Sequence, residues 1–172
     1  MNEEKDFSKL PYRRNVGAVL FNRAGKVFLG RRADMPQTED RPEFWQLPQG
    51  GMDASEDPRI AVLRELAEEI GTANAEIIGE YPDWLTYDLP PELLGRALKG
   101  RYRGQAQRWF ALRFLGKDED IHLDAHQPQE FIAWRWGELA EIPSLGAPFK
   151  RDIYRTIAAF FAPFVQAASA EG

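Results

Sequence analysis

Residues 57 to 71, DPRIAVLRELAEEIG, leave the chain little choice of local structure. Asp57 is a good helix cap, Pro58 fits a first helical turn without losing a needed donor, and Gly71 can take the conformation that closes a helix. The expected helix runs from about 58 to 70. Within it Glu65, Glu68 and Glu69 recur at spacings of three and four, which 3.6 residues per turn places on one narrow stripe. With Glu65 at zero, Glu68 and Glu69 fall at roughly 300° and 40°, while Ile60, Leu63, Leu66, Ala67 and Ile70 centre at about 150°. This predicts a core face on one side and a carboxylate face nearly opposite. Two like charges about 4 Å apart repel by about 4 kcal/mol at an effective dielectric near 20, so water or a cation must screen the stripe. A divalent metal is the obvious counter-charge.

The segment before the helix, LPQGGMDASE, is expected to be a loop in which Gly50 and Gly51 let the backbone approach another group closely. The rest of the chain gives a mixed αβ pattern without repeats. Strands are expected at 15–22, in VFLGRR after the turn NRAGK, at Phe44 to Leu47, near 75–85, at 106–115 and at 131–136. Residues 34–43 are expected to form a surface loop, with a long polar loop to about 104 and a final amphipathic helix over about 149–163. Strands in the middle with helices on either side imply a mixed sheet sandwiched by helices. Residues 1–10 and 164–172 are expected to be tails flanking a single domain over 11–163.

Bulk properties narrow the class. A chain of 172 residues suits one domain, and no apolar run approaches the 18 or so residues that would suggest a membrane span. The absence of cysteine removes disulfides and thiolate metal sites, and the acidic, polar amino terminus is no secretory signal, so a cytoplasmic protein is expected. A net charge of −5 argues against binding duplex DNA through a large basic face, so any nucleic-acid contact must be local.

Residues 50 to 72 fit G-x5-E-x7-R-E-U-x-E-E-x-G-U, where U is aliphatic, and this resembles the Nudix box. Gly50, Glu56, Arg64, Glu65, Glu68, Glu69 and Gly71 fill the fixed places; only Thr72, at the last aliphatic position, departs. YRRNVGAVLFN, FWQLPQGG, WLTYDLPPEL, GQAQRWFALRF, QEFIAWRW and PFKRDIYR further resemble one branch, the RNA 5′-pyrophosphohydrolases and dinucleoside polyphosphate hydrolases. The resemblance implies the Nudix α/β/α sandwich with a mixed central β-sheet. It implies Glu65, Glu68, Glu69 and Glu130 as metal-binding carboxylates, with Mg2+ as the ion and Mn2+ or another divalent cation able to substitute. Glu56, Arg64 and Gly71 would be structural, with Glu56 and Arg64 forming a charge-assisted pair.

The implied reaction is attack of water on a phosphorus of a polyphosphate, with Glu65 or Glu68 as the expected proton acceptor and Glu130 as a third candidate. The expected substrate contacts are Arg13, Arg32 and Lys150 on phosphates, Phe149 and Tyr87 beside a base or terminal nucleotide, and Gln49, Gly50, Gly51 and Gln105 as further lining. Arg108 is another phosphate candidate; the tryptophans at 45, 109, 134 and 136 are expected in the core. The substrate would be a tri- or diphosphorylated RNA 5′ end converted to a 5′-monophosphate, or diadenosine tetraphosphate converted to ATP and AMP. Asp88, beside Tyr87, would repel a phosphate and leaves that choice open. A non-catalytic nucleotide-sensing module is the reading of another class; such modules often lose box carboxylates, and none is lost here.

Overall fold

The computed structural model of the chain describes residues 6–32, 45–145 and 148–170. Its eight strands are β1 (Tyr12–Phe21), β2 (Val27–Arg32), β3 (Trp45–Gln46), β4 (Gln49–Gly51), β5 (Ala75–Glu80), β6 (Leu85–Asp88), β7 (Gly104–Phe114) and β8 (Phe131–Gly137). Among the described residues the α-helices are α1 (Pro58–Ile70) and α2 (Arg151–Ala170). The sheet runs β3-β2-β1-β7-β5, with β4 also on β1, β6 on β7 and β8 on β2. The long central pairing, β1 with β7 from Tyr12 opposite Gly104 to Phe21 opposite Arg113, is parallel, and the other pairings are antiparallel. The sheet is therefore mixed.

Alternation along β1 divides the core in two, because successive side chains of a strand leave opposite faces of the sheet. Val16, Ala18 and Leu20 pack with Ala61, Val62, Leu66 and Ile70 of α1. Val19 and Phe21 pack with Trp109, Ile153, Tyr154, Ile157 and Phe161 on the side of α2. Gly17 is obligatory on that second face: a Cβ there would enter the Trp109 ring. Trp109 and Trp45 are buried as expected, whereas Trp134 and Trp136 are half-buried around Phe28.

The helix signals act where they were placed. Asp57 accepts from the backbone N–H of Arg59 at 2.9 Å, Pro58 opens α1, and Gly71, at φ 81°, donates to the Ala67 carbonyl. The turn after β1 closes on Asn22, whose side chain accepts from the N–H groups of Ala24 and Lys26.

Several expectations are corrected. Ile60 of α1 is 63% exposed, whereas Ala61, Val62, Leu66 and Ile70 are buried together with Glu69. Those four apolar residues centre at about 80° on the wheel, so the carboxylate stripe adjoins the core and does not oppose it. The sheet covers only that side of the helix. The strand expected over 75–85 is two strands, both antiparallel to β7 and separated by YPDW, where Pro82 has no N–H to offer. LPQGG contains a short strand, β4, because the backbone of β1 lies beside it as a partner. The last helix continues past Pro163 to Ala170, so residues 164–170 are helical; buried Ala168 and partly buried Phe164 and Val165 extend the apolar face. Among the expected amino-terminal tail residues, Phe7–Lys9 form a 3-10 turn capped by Asp6. The loop expected at 34–43, Phe44 and residues 1–5 lie outside the described residues.

Candidate active site

β4 runs antiparallel beside Asn15 to Gly17 of β1, and α1 packs against both strands. A cavity of about 320 Å³ opens at this junction. Strand β1 contributes Arg13 and Asn15, the end of β2 contributes Arg32, and β4 contributes Gln49, Gly50 and Gly51. Glu65, Glu68 and Glu69 come from α1, Gln105 from β7, Glu130 from just before β8 and Lys150 from just before α2; Leu98 completes the wall. Four carboxylates and three cations from distant parts of the chain thus face one space.

The acidic side is assembled by Arg64. Its Nε and Nη2 donate to the two oxygens of Glu56 at 2.8 Å, its Nη2 also reaches the Gly51 carbonyl, and its Nη1 meets Glu65 at 2.9 Å and Glu68 at 3.2 Å. The two-pronged pair pins the glycine loop to the helix. It lowers the pKa of Glu56 and raises that of Arg64. Glu65 lies directly under Gly50, where a Cβ would collide with its carboxylate. Glu69 is only 4% exposed and accepts from the backbone N–H of Gln49 at 3.3 Å. Burial pushes the carboxyl of Glu69 well above the ordinary range, and the charges of Glu65 and Glu130 push it further. Burial raises Glu65 as well, against the opposing pull of Arg64.

This donor set suits a hard divalent cation: all the acidic atoms are oxygens, and the buried members are destabilised as anions. As the side chains stand, no three acidic or histidine groups among the described residues already converge on one point. Glu68, whose side chain is 43% exposed, is the most open of the three helix carboxylates.

On the opposite wall Arg32 pairs with Glu130 at 3.9 Å, and the guanidinium of Arg13 occupies the space a Cβ on Gly51 would need. The ammonium of Lys150 lies 5.6 Å from the ring centre of Tyr87, and burial, reinforced by Arg32, lowers its pKa to about 8. Tyr87 is 7% exposed and lies behind the wall; its hydroxyl accepts from Gln105 at 2.6 Å, and its ring meets Phe149 at 5.4 Å. Neither Tyr87 nor the half-buried Phe149 lines the cavity. Arg108 is turned away, paired with Glu80 and lying over Trp84. Asp88 is held by both arms of Arg103 at 3.0 Å, so its charge is compensated.

Asn15, Gln107 and Leu98 escaped sequence reasoning. Trp109 donates its indole N–H to Gln107, whose amide donates at 3.0 Å to both Asn15 and Gln49. A polar chain therefore runs from the core tryptophan to Gln49, whose N–H holds Glu69. The signal was a polar side chain in the apolar strand NVGAVLF and another in GQAQRWF. Leu98 carries no such signal; it stands at the wall through a positive φ of 54°.

The NUDIX domain family model matches residues 11–157. An RNA pyrophosphohydrolase of Gluconacetobacter diazotrophicus is 60% identical over 165 residues, spanning 95% of this chain and 99% of that protein. One from Acidiphilium cryptum is 58% identical over 157 residues, spanning 91% and 94%. Among solved structures, a MutT protein from Methanosarcina mazei Go1 superposes with a TM-score of 0.60 at 22% identity, covering 86% of this chain and 94% of its own. That likeness establishes the shared fold.

Proposed function

The chain belongs to the NUDIX domain family, and from that membership we propose that it is a divalent-cation-dependent hydrolase of phosphoric anhydride bonds. It removes pyrophosphate or phosphate from the 5′ end of tri- or diphosphorylated RNA and leaves a 5′-monophosphate, promoting mRNA decay in the cytoplasm. The observation that carries the reading is the single cavity in which Glu65, Glu68, Glu69 and Glu130 face Arg13, Arg32 and Lys150. A polyphosphate end needs both: cations for its own charge, and carboxylates for the ion that shields it. The RNA class is favoured by the relative, 60% identical, that is named for that activity. Asp88 does not count against it, because Arg103 neutralises that carboxylate.

Glu65, Glu68, Glu69 and Glu130 would hold the ion, with Mg2+ preferred for its affinity for oxygen and its tolerance of phosphate ligands. A bound divalent cation supplies charge neutralisation at the phosphate oxygens and lowers the pKa of the attacking water. Arg13, Arg32 and Lys150 orient the phosphate chain so that water meets the phosphorus in line with the leaving group. Glu65 and Glu68 are the carboxylates assigned to the water's proton, and Glu68 has the more open approach. Gln49, Gly50, Gly51 and Gln105 line the approach, while Tyr87 and Phe149 act from behind, supporting Lys150.

Specificity constants for triphosphorylated RNA, diphosphorylated RNA and diadenosine tetraphosphate in one magnesium buffer test the assignment. An RNA end is expected to exceed the dinucleotide by about a hundredfold. The assignment fails if diadenosine tetraphosphate, free mononucleotides or nucleotide sugars are preferred. Nucleotide binding without magnesium-dependent release of phosphate or pyrophosphate would indicate a sensing module.

Lys150 adds a pH dependence. Its pKa of about 8 means that the ammonium is present at neutral pH and lost as pH rises through that value. Because the shift belongs to the free protein, kcat/KM is expected to fall between pH 7 and 9 more steeply than kcat. Lys150→Met should have a lower kcat/KM at pH 7 and lose this limb of the profile. An unaltered profile in the variant would remove Lys150 from phosphate binding.

A further inference from the structure

The catalytic cavity is not closed on all sides. It shares Arg13 and Leu98 with a second cavity of about 300 Å³, lined also by Lys99, Arg101 and Tyr102. That cavity shares Lys99 in turn with a third, of about 690 Å³, which includes Arg96 and ends near Asp6. The three form a succession that leads away from the carboxylates.

Basic side chains predominate along this succession; the acidic residue at its far end, Asp6, accepts hydrogen bonds from Ser8. Arg96, Lys99 and Arg101 are exposed, and none of them makes an ion pair among the described residues. The neighbouring Arg103 differs, being taken up by Asp88. In a chain of net charge −5, an uncompensated cluster of this sign is a local departure that attracts an anion with repeated charges. Tyr102 adds a half-buried aromatic ring to the same wall. The backbone supplies an independent observation. Leu98 and Lys99 are consecutive non-glycine residues at φ 54° and 60°, a conformation disfavoured for L-residues and one that gathers at functional sites. This strained pair stands where the catalytic and second cavities meet, with Leu98 lining both.

We propose that this groove carries the nucleotides immediately downstream of the phosphorylated end of a single-stranded RNA. Lys99 and Arg101 contact successive phosphodiesters, and Tyr102 offers a face for a base; cationic tracking of the backbone with interleaved aromatic stacking is how single strands are held without sequence readout. The inference rests on the RNA 5′-end reading of the neighbouring site. A polymer is singled out because only a substrate extending past Leu98 reaches these charges.

The test is binding of a 5′-monophosphorylated decaribonucleotide, by fluorescence anisotropy, against competition by a 5′-monophosphorylated dinucleotide. In the double variant Lys99→Glu/Arg101→Glu the Kd for the decamer is expected to rise at least about tenfold, and the dinucleotide to bind unchanged. Loss of two phosphate contacts should also reduce the slope of log K against log salt by about 1.4. Tyr102→Ala is expected to weaken the decamer about fivefold. Unchanged decamer affinity in the double variant, or an equal loss for the dinucleotide, overturns the groove. Turnover of triphosphorylated dinucleotide by the unaltered protein reports separately on the parent reading, so the two can fail independently.

Discussion

Replacing Glu69 with glutamine is expected to lower turnover by about a hundredfold while leaving the metal-free protein at least as stable as before. The first half follows from its place among the four carboxylates of the cavity: glutamine keeps the shape and loses the charge, and a hundredfold corresponds to about 2.7 kcal/mol at the transition state. The second half follows from burial. Glu69 is almost fully buried with one backbone donor, and its carboxyl is pushed well above its ordinary pKa first by burial and then by Glu65 and Glu130. A carboxyl raised in the folded state contributes stability that is fully present below its unfolded pKa and is lost as pH rises through the folded one. In chelator, therefore, the melting temperature of the variant relative to the unaltered protein should increase from pH 5 upward. Magnesium should raise the melting temperature of the unaltered protein and have a much smaller effect on the variant. A variant that melts several degrees lower at pH 8 without metal, or that turns over substrate normally, contradicts the assignment.

Gly50→Ala is expected to fold normally and to lose about thirtyfold in kcat. Gly50 has ordinary backbone geometry and does not owe its place to a turn. A Cβ there would strike the carboxylate of Glu65, the far end of a flexible side chain. The clash is relieved by moving that carboxylate, at little cost to the fold, but the donor then leaves the position the cavity requires. Thermal melting within about 3 °C of the unaltered protein, together with the loss in kcat, is the expected pair of results. Near-normal kcat would show that Glu65 need not stay under β4.

The two substitutions also mark where the sequence was informative. Local signals were read correctly: Asp57, Pro58 and Gly71 set the ends of α1, and the pairing of Glu56 with Arg64 is present. Facing was misread, because Ile60 and Leu63 dominate a helical wheel by hydrophobicity while Ala61 and Val62 are what the sheet covers. That decision belongs to tertiary packing, and it set Glu69, expected on a carboxylate face nearly opposite the core, at the edge of the core. β4 was missed for the same reason: glycines have low strand propensity, and only the adjacent backbone of β1 makes them a strand. Tyr87 illustrates the limit for side chains. Its segment pointed to the right region, but nothing local shows that it stands behind Lys150 and not in front of it. Asn15 and Gln107 meet across strands although 92 residues separate them, so no local window of residues contains both.

The parallel alignment of β1 with β7 sets the earliest moment at which this protein can work. Tyr12 through Phe21 find their parallel neighbours only when Gly104 through Arg113 exist. While the polypeptide is being synthesised, the acidic helix and its glycine platform are made long before the strand that steadies them, and Gln107 cannot yet reach Asn15. Contacts so far apart along the chain close slowly and late. A nascent chain halted before residue 104 therefore holds the box of its family complete and lacks the strand that runs parallel to β1.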